Sequence, residues 1–173
     1  MTWYAKGEEE LLLTVEKVMK KFHAPLADAM VAVDVLVARN EDGPPVKMYG
    51  AEVPASVRIT SLRDRAMLEC DAIITIDGES MPSWDSRRLQ AVIDGQLRRL
   101  SLVVGKKTGK VVRDDLDRPK LKLVPFDHQI AWFDRTAVLF GLDSVEVSQF
   151  RAIVDGVDWV QTCLPGFVTE GAA

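Results

Sequence analysis

Imidazoles, thiols and paired carboxylates are the side chains that most often carry chemistry, and this chain of 173 residues holds two histidines, His23 and His128, and two cysteines, Cys70 and Cys163. A zinc hydrolase of the HExxH type sets two histidines one helical turn apart, so that both face the metal and the glutamate between them activates the bound water. The helical stretch Arg87 to Leu100 carries no complete set of that kind. Other hydrolytic arrangements fare no better: there is no Gly-x-Ser-x-Gly elbow, and Cys70 has no imidazole near it along the chain. Gly105-Lys106-Lys107-Thr108-Gly109-Lys110 lacks the spacing of a phosphate-binding loop and reads as a flexible basic turn. The carboxylates, though plentiful, show no pairing signal and read as surface charge.

Composition narrows the classes further. A formal net charge of -4 and a pI near 5.3 give no overall drive toward a polyphosphate, so nucleic acid is not the favoured partner. Apolar residues at 47% and charged residues at 28% are ordinary for a globular chain, and the whole of 1–173 is expected to form one domain with a frayed tail over 165–173. Two cysteines in apolar surroundings read as buried reduced thiols rather than a disulfide framework or a zinc finger. The acidic start lacks a basic leader, and no run approaches the ~18 to 20 apolar residues needed to span a bilayer, which implies a cytoplasmic protein without a membrane partner.

The elements that would position any site follow from periodicity. Glu8 to Phe22 has acidic residues first, lysines last and apolar positions at helical spacing, an amphipathic helix with charges suited to its dipole. Ala27 to Met30 adds a turn of helix. Val31 to Val37, Ser56 to Leu62 and Asp71 to Asp77 read as strands, the last closed by Asp77-Gly78. Ser83-Trp84-Asp85 offers a cap for a central helix, in which Leu89, Ile93, Leu97 and Leu100 recur at helical spacing as far as Leu102. Val111 to Leu123 is a hairpin-like excursion or an extended connector, and helices are expected over Asp127 to Phe140, ended by Gly141, and Val145 to Gln161. The class is α+β: a small, mostly three-stranded sheet against a central helix, with further helices at both ends.

With Leu89-Gln-Ala-Val-Ile-Asp-Gly-Gln-Leu-Arg-Arg-Leu100 in place, the chain resembles the zincin-like phage metallopeptidases, whose helix typically reads Leu-Leu-Asp-His-Glu-Leu-Thr-His-Leu. The resemblance extends through Asp34 to Arg39, Val57 to Arg65, Asp71 to Gly78, Asp114 to Lys122, Asp127-His128 and Trp132-Phe133-Asp134, covering roughly residues 26 to 150. It implies a zincin-like fold and places the first metal histidine at Gly95, the glutamate base at Gln96 and the second histidine at Arg99. Gly95 has no donor atom, Gln96 is an amide, and Arg99 is a permanent cation that repels Zn²⁺. His128-Gln129 stands where the family has a His-Glu pair. His128 reads either as a helix-start histidine satisfied by backbone or Asp127, or as a retained ligand, and His23 as a surface or capping residue.

The resemblance therefore implies a degenerate, catalytically inactive phage or prophage protein without metal or cofactor, acting by binding a protein, for example as an inhibitor of a host defence or regulatory system. Gly95 is open to two readings: drift, or a missing Cβ that lets a backbone or partner side chain approach. Arg99 is expected to pair with Asp94, Asp127 or Asp134 in the space a metal would fill, with Arg98 solvated. Three rivals stand beside this. One is a metal-dependent hydrolase rearranged around His128. Another is a nucleic-acid module using Arg87, Arg88, Arg98, Lys106, Lys107 and Lys110. The third is a self-associating protein docking through Trp3, Tyr4 and Phe167.

Overall fold

A computed structural model describes residues 1–48, 50–126 and 134–156, and the mixed α+β class is realised there by a four-stranded sheet with helices against it. The chain divides into a unit over Met1–Pro125 and a second from Phe126 onward. In the first, β1 (Thr2–Lys6) leads into α1 (Glu9–Phe22) and α2 (Ala24–Asp28), then β2 (Val33–Asn40). A short hairpin, β3 (Lys47–Met48) and β4 (Ala51–Glu52), precedes β5 (Ala55–Ile59), α3 (Leu62–Leu68), β6 (Ala72–Asp77) and α4 (Ser86–Arg98). A last hairpin is made by β7 (Leu100–Leu102) and β8 (Leu121–Leu123).

The sheet order is β1-β2-β6-β5, with β2 and β6 parallel and both outer pairs antiparallel. Because side chains alternate along a strand, the register stacks Val35, Ile74 and Val57 in one row and Val37, Ile76 and Ala55 in the next. Those rows meet Leu11, Val15 and Val18 of α1 and Val92, Ile93 and Leu97 of α4 in one core cluster. Val35, Ile74, Ile76, Ile93 and Leu97 are fully buried, so the two helices and the two central strands set the frame on which everything else is held.

The expected three-stranded sheet is corrected to four strands. β1 escaped the pattern because four of its five residues are exposed, leaving no buried alternation, and its place comes from pairing with the free edge of β2. The strand expected over Ser56 to Leu62 stops at Ile59, and α3 begins at Leu62. Ser61 caps α3 by accepting the Asp64 backbone N–H, a Ser-x-x-Asp signal. Asp85 caps α4 as anticipated, accepting the Arg88 N–H at 2.6 Å. The central helix ends at Arg98 rather than Leu102, because Leu100 to Leu102 pair with β8. Beyond β7 the chain continues as a hairpin with bridges Val104 to Val111 and Arg113 to Pro119.

In the second unit, α5 (Asp134–Phe140) gives way at Gly141, whose φ of 53° lies in the left-handed region, to a tight turn and then α6 (Val145–Gly156). Ser144 caps α6 by accepting the Val147 N–H. The expected helical residues 127–133 and 157–161, Cys163, Phe167 and the 165–173 tail lie outside the described residues.

Candidate functional site

The three positions that the resemblance marks on α4 are held by the core itself. Val92, Ile93 and Leu97 anchor one face of the helix, and Gln96 and Arg99 turn inward beside them, at 8% and 9% exposed. The Arg99 Nη1 lies 3.4 Å from the Met48 Sδ, so the β3–β4 hairpin reaches the guanidinium. The Gln96 Oε1 is buried with no hydrogen-bond partner. A Cβ built on Gly95 would meet nothing within 4 Å among the described residues, so none of them uses the missing side chain for a close approach. The arrangement is a buried cation next to a buried amide: one neutral carbonyl oxygen beside a fixed positive charge, without the imidazole pair or carboxylate base of a zinc hydrolase.

Asp94 does not serve Arg99. Its Oδ1 lies 2.8 Å from the His23 Nε2 and its Oδ2 accepts from the Arg98 Nε at 2.8 Å. Of the three carboxylates expected for Arg99, Asp94 is thus engaged elsewhere, and Asp127 lies outside the described residues. Arg98 is 66% exposed and is held by its ion pair one turn back. Of the two readings of His23, the capping one holds and the surface one is corrected: its backbone ends α1 as a cap, and its imidazole is buried against Asp94 of α4. The helix-end geometry was legible in the sequence, whereas the carboxylate that meets the ring lies 71 residues away. His128 and Gln129 lie outside the described residues.

The basic candidates do not gather. Arg87 and Arg88 are exposed at the start of α4, while Arg98 lies about 15 Å along the axis from Arg88 and is rotated away from it. Lys106, Lys107 and Lys110 are exposed in the turn of the long hairpin.

Sequence reading missed a four-charge cluster around the start of β6. Asp71, fully buried at the start of β6, accepts from the Arg118 Nε at 2.8 Å and Nη2 at 3.2 Å, and from the Ala32 backbone N–H at 2.8 Å. Arg65 of α3, itself 5% exposed, donates to Asp114 at 2.6 Å and to the Pro119 carbonyl. Asp114 also accepts the backbone N–H groups of Leu116 and Arg118, closing the 114–118 turn around itself. Burial alone would raise the Asp114 carboxyl, but the Arg118 N–H, the Arg65 guanidinium and the Leu116 N–H outweigh it and hold the group below the usual carboxylate range. Two arginines and two aspartates thus cancel and clamp the long hairpin onto α3 and β6. The signal available in sequence was the turn-forming run Asp114-Asp-Leu-Asp-Arg118, but its partners could not be paired without the topology.

Cys70 is buried beside this cluster. Desolvation first, and then the charges of Asp34 and Asp71, push its thiol up from its ordinary value, the opposite of what a nucleophile requires. Among the described residues no three His, Cys, Asp or Glu side chains stand together as a metal site, and no helix is long and apolar enough to cross a membrane. Compared with known proteins, the chain matches no family model, no curated protein and no solved structure at a significant level.

Proposed function

We propose that this chain is a catalytically inactive, zincin-like phage or prophage protein, a degenerate relative of the phage metallopeptidases, that acts in the host cytoplasm by binding a protein. An inhibitor of a host defence or regulatory system is the role such a scaffold suits. The observation that carries the reading is the buried Arg99 guanidinium against Met48, at the position where the resemblance puts a zinc ligand. A fixed positive charge there opposes a divalent cation, and Gln96 beside it cannot take a proton from water near neutral pH. The core around α4 is nonetheless fully packed, which supports a scaffold kept for its surface rather than its chemistry.

The test is metal uptake by the full chain, purified without chelator, alongside the Gly95→His/Gln96→Glu/Arg99→His variant. The unaltered protein is expected to hold no stoichiometric zinc and to cleave no protein substrate, while the triple variant gains zinc affinity because a Cβ at Gly95 meets open space. Stoichiometric zinc in the unaltered protein, lost on changing His128, overturns the reading.

A further inference from the structure

A cavity of about 470 Å³ opens beside the edge of the sheet, between β1 and the starts of α1 and α4. Its apolar wall comes from Ala5, Leu11, Val37, Met81 and Leu89, and Trp3 stands at its border, 49% exposed. Ligand pockets run about 300 to 1,000 Å³, so the space suits a ligand rather than a packing defect. One charged group on the sheet faces it. The Arg39 guanidinium lies over the Trp3 indole, 5.7 Å from the ring centroid. The Arg39 side chain is half-buried, and beyond the Trp3 ring its guanidinium makes no hydrogen bond or ion pair among the described residues. Lys6 also borders the cavity, but its ammonium turns to Asp34 at 3.5 Å. Glu8 and Glu10 line the mouth and are exposed.

The neighbouring backbone is open too. β1 is an outer strand, paired among the described residues with β2 alone, so along its other side alternate N–H and C=O groups point away from the sheet. Trp3 and Ala5 sit opposite Arg39 and Val37, which puts the cavity, the guanidinium and the free edge side by side.

We propose that this edge and cavity form a binding site for the C-terminal end of an extended partner peptide whose last residue is apolar. The peptide adds to the sheet as a strand beside β1, its terminal carboxylate takes the Arg39 guanidinium, and its last side chain fills the apolar cavity. An internal residue offers either a carboxylate or an apolar body of this size. A C-terminal leucine or phenylalanine offers both within one residue. Glu8 and Glu10 repel a second negative charge at the mouth and favour basic residues upstream. This assignment deepens the protein-binding reading above and rests on it.

The probe is a fluorescein-labelled peptide pool, basic at its N-terminal end and randomised over its last few residues, prepared as free acids and as C-terminal amides and applied to the full chain. The free acids are expected to bind with leucine, isoleucine or phenylalanine enriched at the last position, and the amides to bind about tenfold or more weakly, because a charge-assisted hydrogen bond is lost. Arg39→Gln removes the preference for the free acid, and Thr14→Phe, which fills the cavity from α1, removes binding while the fold is retained by circular dichroism. No binding, equal binding of acid and amide, or unchanged selectivity in Arg39→Gln overturns the assignment. Competition by acetyl-leucine as strong as that of the peptides overturns the strand-addition part and leaves a small-carboxylate site. All these outcomes are read separately from zinc uptake, so the peptide site can fail while the inactive-scaffold reading stands.

Discussion

Replacing Asp71 with alanine is expected to cost the first unit a large share of its stability. The side chain is fully buried and holds three donors, the Ala32 N–H and two nitrogens of Arg118, with the Arg65 Nε a further 3.9 Å away. Asp71→Ala strips Arg118 of its carboxylate, leaves Arg65 with Asp114 and the Pro119 carbonyl, and orphans the Ala32 donor. Removing one partner of a buried ion pair costs about 3–5 kcal/mol, chiefly through the uncompensated charge left behind. Against a total of roughly 5–15 kcal/mol, that is about a fifth or more of the margin. With a urea dependence of about 1–3 kcal/mol per molar, the unfolding midpoint falls by on the order of 2 M. Urea titration followed by circular dichroism measures it. The companion variant Asp71→Leu/Arg118→Leu, which removes both members of that pair and leaves Arg65 on Asp114, recovers much of the loss, since desolvation offsets much of the attraction in the native pair. A midpoint for Asp71→Ala within a few tenths molar of the parent would refute the claim that the cluster clamps the hairpin.

Three further outcomes follow from the same coordinates. Because the folded Asp114 carboxyl lies below its ordinary value of 3.8, its contribution to stability is full above that value and is lost as the pH falls through the folded-state value; Asp114→Asn should therefore flatten the acid limb of a stability profile measured by urea titration at successive pH values. Gly95→Ala fills open space in a helix interior and should raise stability by about 0.5–1 kcal/mol in thermal or urea unfolding; a loss would refute the open space at Gly95. Gly78→Ala would put a Cβ 2.5 Å from Val37 Cγ1 and 2.9 Å from Arg39 Cγ, so it should destabilise by roughly 1–3 kcal/mol and weaken free-acid peptide binding by displacing Arg39, both measurable on one preparation.

By itself the sequence determined the elements whose signals are local. The apolar spacing of α1 and α4, the Asp85 cap, the β-branched runs of β2 and β6 and the stop at Gly141 each lie within a few residues, and the structure holds them there with shifts of a few positions at their ends. The inward placement of Gln96 and Arg99 follows from the same helical period that sets Ile93 and Leu97 in the core. Tertiary structure alone decided the rest. β1 is a strand because β2 has a free edge, not because its exposed residues alternate. Leu100 to Leu102 leave the helical pattern because β8, some twenty residues on, pairs with them. The His23–Asp94, Arg65–Asp114 and Asp71–Arg118 contacts join residues 71, 49 and 47 positions apart, and charge attracts at a distance fixed by topology rather than by spacing along the chain. For the same reason the cavity beside Trp3 and Arg39 has no motif: it exists only where an outer strand, its neighbour and two helix starts converge.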